Sequence, residues 1–398
     1  MPLGKKEAIA TMMLLEELRM NKTEFVDSWM HNTPQALDNS QFPYEYRRLE
    51  LPKDEQGYVR SFEVDDRKRI REFFEKYGLV VVRNCLNDKE CKRSCGEVWD
   101  RIEYILMHYC SIAKQLKSFG DHRRICKNDR NDPHSFEEWP SLSQLGILGN
   151  DVVLSEQFCL NRQNPKIHKA FETIFGTPEL RGVVGRASAM RPTFIPSKDD
   201  AKKLEEKTEW RTISNWLHWD MDPFNGRATT FGWKVRDYRA NVGFDSLRVQ
   251  GILALTDCGP KDGGFQCVPG FQEHIRGWGN ANQKQHFKEG FLPGSFFVPK
   301  DDPMHKDVQT CPLRQGSLLI WDSKLPHCTF PNHSTHGRIV QYIKMAPVTD
   351  LAVAPLLDKY PDLLPENFEL SELGRKIYGF EKWPGDVSNN GWARCTVS

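Results

Sequence analysis

The sequence predicts a mainly β fold, a sandwich or barrel with helices around it. Three observations predict this. After Gly176 the chain breaks into short β-branched or alternating runs: RGVVGRASAMRPTFIP, SNWLHWDM, SLRVQGILALTD, FQCVPG, GSFFVP, GSLLIWDS and RIVQYIKM. Gly, Pro and Asp turns separate them, the punctuation of an all-β unit. The 398 residues, 39% hydrophobic and 27% charged, supply a sizeable core for a soluble globular chain. No apolar run approaches the roughly 18 residues a transmembrane helix needs.

The elements follow in order. Residues 4–30 read as a helix with Ile9, Met12, Met13, Leu15 and Leu18 on one face. Residues 31–60 are polar and proline-punctuated, a wrapping loop. A helix then runs through Tyr77 and stops at Gly78. LVVVRNC is a β-branched strand, and NDKECKRSCGEVWDRIEYIL is a second helix opened by an Asn/Asp cap. Residues 120–175 read as loop-rich. The tail, 350–398, reads as helices and loops packed outside. The expected division is 1–60 as helix and wrapping loop, 61–349 as the main domain and 350–398 as the tail. There is no internal repeat.

A net charge of +1 gives no global pull toward nucleic acid or an anionic membrane. The 11 cysteines are odd in number and contain no C-x-x-C, which points to free thiols in a reducing, cytoplasmic setting. The first twenty residues lack the uninterrupted apolar stretch of a secretory signal. The terminal CTVS fits a prenylation pattern at Cys395, but no basic stretch precedes it, and one lipid alone anchors weakly.

The stretch NWLHWDMDPF carries the first candidate chemistry. Residues i and i+2 of a strand share a face, so His218 and Asp220 point the same way. They supply two of the three ligands of a 2-His-1-carboxylate site, which leaves metal positions open for other ligands. The tripeptide alone is weak, since about one H-x-D is expected by chance in such a chain. A second copy, His305-Lys306-Asp307, lies in a polar loop, and a buried polar pair remains an alternative for the first. Asp222 also shares the face of Asp220, although Pro223 after it suggests a strand end. A third ligand is available in His327, which precedes a strand starting at Arg338; His333 and His336 are nearby rivals. An arginine at Arg338 can grip a carboxylate with two parallel hydrogen bonds.

Three pieces in this order resemble the phytanoyl-CoA dioxygenase family. HWD is similar to its proximal ligand motif, DGGFQCVPGFQEH to its central Pro-Gly stretch, and GSLLIWDSKLPHCTFPNHSTHGR to its distal motif, with the arginine eleven residues past the histidine. FFEKYGLVVVRNCLNDKEC resembles the family's entry segment, so the resemblance spans roughly residues 65–345. It departs in a longer PGFQEH loop, in a long segment over 225–245 and in residues 1–60.

The resemblance implies a double-stranded β-helix (jelly roll). It implies Fe(II) held by His218, Asp220 and His327, with 2-oxoglutarate as cosubstrate, O2 as oxidant and ascorbate as reductant. Arg338 would bind the distal carboxylate of 2-oxoglutarate, helped by Thr329. Such an enzyme would hydroxylate a small organic molecule and release succinate and CO2. Rival readings are a non-catalytic scaffold of the same fold and an oxygenase acting on protein or nucleic acid. Gln250 is a candidate to touch 2-oxoglutarate or substrate, and Arg191 is a candidate for the C1 carboxylate. Trp216, Trp219 and Trp233 are candidate cavity residues, with Trp219 the expected neighbour of the ligands. Lys234, Arg236 and Arg239 favour an anionic substrate.

Overall fold

A computed structural model describes residues 44–115, 128–137, 139, 145–148, 152–183, 185–226, 243–282, 296–350 and 364–386. The helix expected over 4–30, Trp233, Lys234, Arg236, Arg239 and Cys395 lie outside them. Two facing sheets form a double-stranded β-helix. The main sheet runs, in spatial order, β1 (Ser61–Phe62), β2 (Leu79–Val82), β13 (Leu318–Asp322), β9 (Val249–Ala254), β15 (Arg338–Pro347), β5 (Ala187–Met190) and β3 (Ile147–Leu148). β4 (Leu180–Val183) pairs with the far end of β15, and among the described strands only the β1–β2 pair is parallel. The smaller sheet runs β11 (Phe296–Phe297), β8 (His218–Trp219), β14 (His327–Phe330), β10 (Gly264–Cys267) and β12 (Gln309–Thr310). A hairpin of β6 (Phe194–Pro196) and β7 (Leu204–Glu206) stands apart. The sheets meet through rings: Phe265 of β10 lies 4.7 Å from Trp321 of β13.

Helices cover the outer face of the main sheet. α1 (Arg67–Tyr77) buries Ile70, Phe73, Phe74 and Tyr77 on one stripe. It ends as expected, because Gly78 takes a left-handed φ of 71° and donates its N–H to the carbonyl of Phe74. α2 (Asp88–Gln115) opens with a reciprocal box. Glu90 N–H donates to Asn87 Oδ1 at 3.0 Å and Asn87 N–H to Glu90 Oε2 at 2.8 Å.

The segment read as loop-rich contains two further helices, α3 (Glu156–Arg162) and α4 (Pro165–Phe175). Their signal is faint for physical reasons. α3 has under two full turns, too few to show a period, and α4 buries the polar His168 and Thr173 among its apolar residues. α3 fixes the outer face of β15. Gln341 donates to the carbonyl of Phe158 at 3.0 Å and accepts from Asn161 Nδ2 at 2.8 Å. Gln341 is fully buried, so the alternate residues Arg338, Val340, Tyr342 and Lys344 face the interior between the sheets.

The tail is more than an outer cover. α5 (Ile275–Ala281) is followed, far along the chain, by α6 (Glu372–Tyr378). Ile377 of α6 is fully buried, and the Tyr378 hydroxyl donates to the carbonyl of Cys159 at 2.9 Å. Asp386 pairs with Arg181 at 2.5 Å, with both side chains buried. No helix of the described residues is long and apolar enough to cross a membrane. Cys85, Cys91, Cys95, Cys159, Cys258, Cys267, Cys311 and Cys328 are free thiols.

Candidate metal centre

His218, Asp220 and His327 meet in the interior, and their ligand atoms all lie within 4.8 Å of one another. Strand pairing brings them there. β8 and β14 are antiparallel neighbours, with His218 directly opposite His327. Asp220 follows β8 at the i+2 position and so faces the same way. Each histidine uses Nδ1 on its own backbone. His327 Nδ1 lies 2.9 Å from the carbonyl of Leu325, and His218 Nδ1 lies 3.3 Å from that of Trp216. A carbonyl only accepts, so Nδ1 carries the proton and Nε2 is left with a lone pair toward the site. Both Nε2 atoms lie 3.8 Å from Asp220 oxygens.

The electrostatics suit a cation. Burial, then the neighbouring His218, pushes His327 down to about 3. Burial likewise lowers His218. For Asp220, burial favours the neutral acid, but the two histidines, Lys344 and the Gln250 hydrogen bond outweigh it and keep the carboxyl below its ordinary value. At neutral pH the trio therefore offers two neutral imidazoles and one carboxylate. In the metal-free protein the unfolded imidazoles take up protons near 6.5, whereas the folded ones resist. Stability should therefore fall as pH drops from about 6.5 toward 3 and rise back through that window. Thermal unfolding of wild type against His327→Asn across that range tests this. The difference between them should shrink as pH falls, and a constant difference would contradict the assignment.

A second group of unsatisfied polar atoms lies along the same interior face. Arg338 opens β15, is 1% exposed, and none of its three guanidinium nitrogens makes a well-formed hydrogen bond in the protein. The Cys258 thiol and the Tyr342 hydroxyl lie beside it, but among the described residues no carboxylate pairs with it. Thr329, two residues past His327, is buried with its Oγ1 also unpartnered. Gly264 gives the guanidinium its space: a Cβ there would stand 3.2 Å from Arg338 Nε. A buried cation without a counter-charge is costly, so this arrangement is built for an anion.

The other expectations sort by strand geometry. Gln250, expected to touch 2-oxoglutarate or substrate, instead donates its Nε2–H to Asp220 Oδ2, leaving Oδ1 without a partner. It orients the carboxylate so that one oxygen is free for a metal. Gln250→Leu should weaken Fe(II) or Mn(II) affinity roughly 10- to 100-fold, the usual scale for a residue that orients a ligand. Isothermal titration checks this, and unchanged affinity would remove Gln250 from the site. Arg191 does not join the group. It donates to the carbonyls of Phe136 and Glu137 and lies 4.5 Å over the ring of Trp210, in a separate apolar cluster.

Trp219 is also not beside the ligands. Alternation sends it to the opposite face, where it packs 4.7 Å from Trp278. The ring on His218 is that of Trp216, stacked at 4.7 Å and 11°. Asp222 accepts from the Phe224 N–H at 2.8 Å and sits outside the trio. His333 and His336 are exposed. His305 and Asp307 sit in a 3-10 turn, with His305 Nε2 on the carbonyl of Pro299.

Sequence reasoning missed three neighbours. Trp321 lies 5.3 Å from the His327 ring, Tyr342 lies beside Arg338, and Lys344 is close enough for its charge to act on Asp220 and His327. The signal was available: counting by twos from Arg338 along β15 gives Tyr342 and Lys344.

A family model matches residues 162–340, from the end of α3 to the start of β15, and so includes the trio, Gln250, Thr329 and Arg338. That family is phytanoyl-CoA dioxygenase. A Dictyostelium discoideum protein provisionally named phytanoyl-CoA dioxygenase is 26% identical over 340 residues, 76% of this chain and 87% of its own. The segment similar to that family carries a buried group of side chains able to hold a metal.

Solved structures also resemble the chain. The epimerase SnoN, in complex with Fe3+, alpha ketoglutarate and nogalamycin RO, is 14% identical, covering 72% of this chain and 85% of its own, with a TM-score of 0.40. The non-heme monooxygenase ThoJ is 16% identical, covering 70% and 77%, with a TM-score of 0.38. GIG2 from Candida albicans is 12% identical, covering 95% and 86%, with a TM-score of 0.49.

Proposed function

We propose that the protein is an Fe(II)- and 2-oxoglutarate-dependent dioxygenase that hydroxylates a small organic molecule. The observation that carries this is the pairing of a His-Asp-His trio with a buried, unpaired Arg338 on the same interior face. His218 and His327 would supply Nε2 lone pairs, and Asp220 would supply Oδ1. The donor set fits a first-row divalent metal with open positions. When bound, the iron with 2-oxoglutarate and O2 supplies the oxidising chemistry, with succinate and CO2 released.

The chain's own residues do the rest. Gln250 holds Asp220 so that one carboxylate oxygen faces the metal position. Leu325 and Trp216 carbonyls fix the histidine tautomers. Arg338 takes the distal carboxylate of 2-oxoglutarate with Thr329 beside it, which sets the orientation of the oxo-acid end. Trp321, Phe265 and Trp216 wall the centre with apolar rings that keep water out. Residues 61–349 form the working body, strapped by the described part of the tail.

Purified protein loaded anaerobically with Fe(II) should bind one metal ion per chain. In air it should release succinate from 2-oxoglutarate, slowly without substrate and faster with one. Absence of both metal binding and succinate release would overturn this reading.

A further inference from the structure

A cleft of about 430 Å³ opens on the protein surface, and none of the trio lines it. Its lining carries four cations, Lys53, Arg60, Arg83 and Arg314, against one acid, Asp54. That is a net of +3 in a chain whose whole balance is +1. The fold gathers these charges from three separate stretches. Lys53 and Arg60 stand on a hairpin closed by the Lys53–Val59 bridge and by the Arg60 N–H, which donates to the carbonyl of Pro52 at 2.9 Å. The hairpin docks where the Val59 N–H donates to the carbonyl of Pro312 at 3.1 Å. The exit of β2 docks on the same turn, with the Cys85 N–H on the carbonyl of Gly316 at 2.9 Å. Arg314 lies between those two docking points, and Arg83 lies just before the second.

Three of the four cations are held in place. The Arg314 guanidinium lies 4.2 Å over the Tyr58 ring and donates to Asp54 at 2.6 Å and Gln56 at 2.8 Å. Arg83 donates to Glu63 at 2.8 Å and to the carbonyl of Ser61 at 2.9 Å. Lys53 donates to Thr310 Oγ1 at 3.4 Å. Each of these arginines uses two of its five N–H groups this way and keeps the others. Both ion pairs are about half exposed, so they hold little energy and yield to a stronger anion. Arg60 is exposed, and among the described residues no acid pairs with it.

With Glu63 on Arg83, two positive charges of the cleft still go unmatched. A monocarboxylate would answer one of them. A phosphate group brings about two charges and three acceptor oxygens that suit arginine forks. The volume falls in the range of small-molecule sites, roughly 300–1,000 Å³. We propose that this cleft is a second binding site, taking a soluble organic phosphate with two or more negative charges. Arg83 and Arg314 form its prearranged frame, and Arg60 completes the grip. The site is separate from the metal centre and does not depend on the dioxygenase reading.

The test titrates full-length protein with inorganic pyrophosphate in a calorimeter, at about 50 mM and about 200 mM salt. Acetate is the comparison anion. Wild type should bind pyrophosphate about tenfold or more tightly than acetate, and less tightly at the higher salt. Arg60→Gln should weaken pyrophosphate binding about tenfold, and Arg60→Lys should lose less. Thermal unfolding of both variants should match wild type, because the side chain is exposed. Lys202→Gln makes the same charge change in the exposed turn between β6 and β7 and should leave binding unchanged. Three results overturn the proposal. They are no preference for pyrophosphate in wild type, full binding retained in Arg60→Gln, and an equal loss in Lys202→Gln. The second would place the anion elsewhere, and the third would reduce the effect to overall charge.

Discussion

Replacing His218 with alanine is expected to abolish tight metal binding and to cut succinate release by on the order of 10³-fold, a barrier increase of about 4 kcal/mol. The geometry explains the size. His218 is buried, faces His327 across the β8–β14 pair, and supplies one of three donors with no fourth group in reach among the described residues. Loss of Nε2 leaves a two-donor site and an exposed side of Asp220. The effect should be on turnover and metal affinity together. Stability should fall modestly at neutral pH, where the substitution leaves a cavity beside Trp216, and fall less at acidic pH, where losing an imidazole that resists protonation is favourable. Metal analysis, succinate release and thermal unfolding of the same preparation separate these outcomes. Near-wild-type turnover in His218→Ala would end the assignment of the trio. Trp216 stacks on that imidazole and will be left against a void, so His218→Gln is the better shape control.

Substitution of Arg338 has the second largest expected effect, and its signs differ between bound and free protein. Arg338→Met should weaken 2-oxoglutarate binding by about 10²-fold, close to 2.7 kcal/mol, the scale of a buried charge-assisted pair. Arg338→Lys should recover part of it, since an ammonium meets the carboxylate at a point and not along a fork. Without ligand, the Met variant should be as stable as wild type or more so, because burying an unpaired guanidinium costs free energy that methionine does not. Saturating 2-oxoglutarate should raise the unfolding temperature of the wild type and leave that of Arg338→Met unmoved. Equal ligand stabilisation of the two proteins would show that the distal carboxylate is held elsewhere.

Much of the site could be read from strand periodicity. The i, i+2 rule put His218 and Asp220 together, and the order and spacing of His327, Thr329 and Arg338 put them on consecutive strands, β14 and β15. The same rule, carried one step further, excludes Trp219 and admits Trp216, and along β15 it admits Tyr342 and Lys344. What it could not give is pairing between distant strands. Nothing in RVQGIL shows that Gln250 will meet an aspartate thirty residues earlier, because that contact is made across sheets. Arg191 was legible as a strand-adjacent cation but not in direction, since its partners Phe136, Glu137 and Trp210 belong to a side cluster. α3 and α4 were hidden by brevity and by polar residues on their buried sides. α3 receives Gln341, a polar contact invisible to hydrophobic patterning.

The placement of the trio on one sheet and of Gln250 and Arg338 on the other has a consequence for how such a protein can diversify. His327 and Thr329 lie on β14 of the smaller sheet and Arg338 on β15 of the main sheet, and Asp220 and Gln250 are likewise each fixed by their own sheet. β8 is tied to β14 and β11, and β9 to β13 and β15. The register of the site is therefore set by ladder hydrogen bonds between strands and not by the length of sequence between β8 and β9. Changes in the length of that sequence can accumulate without disturbing the housing of the trio.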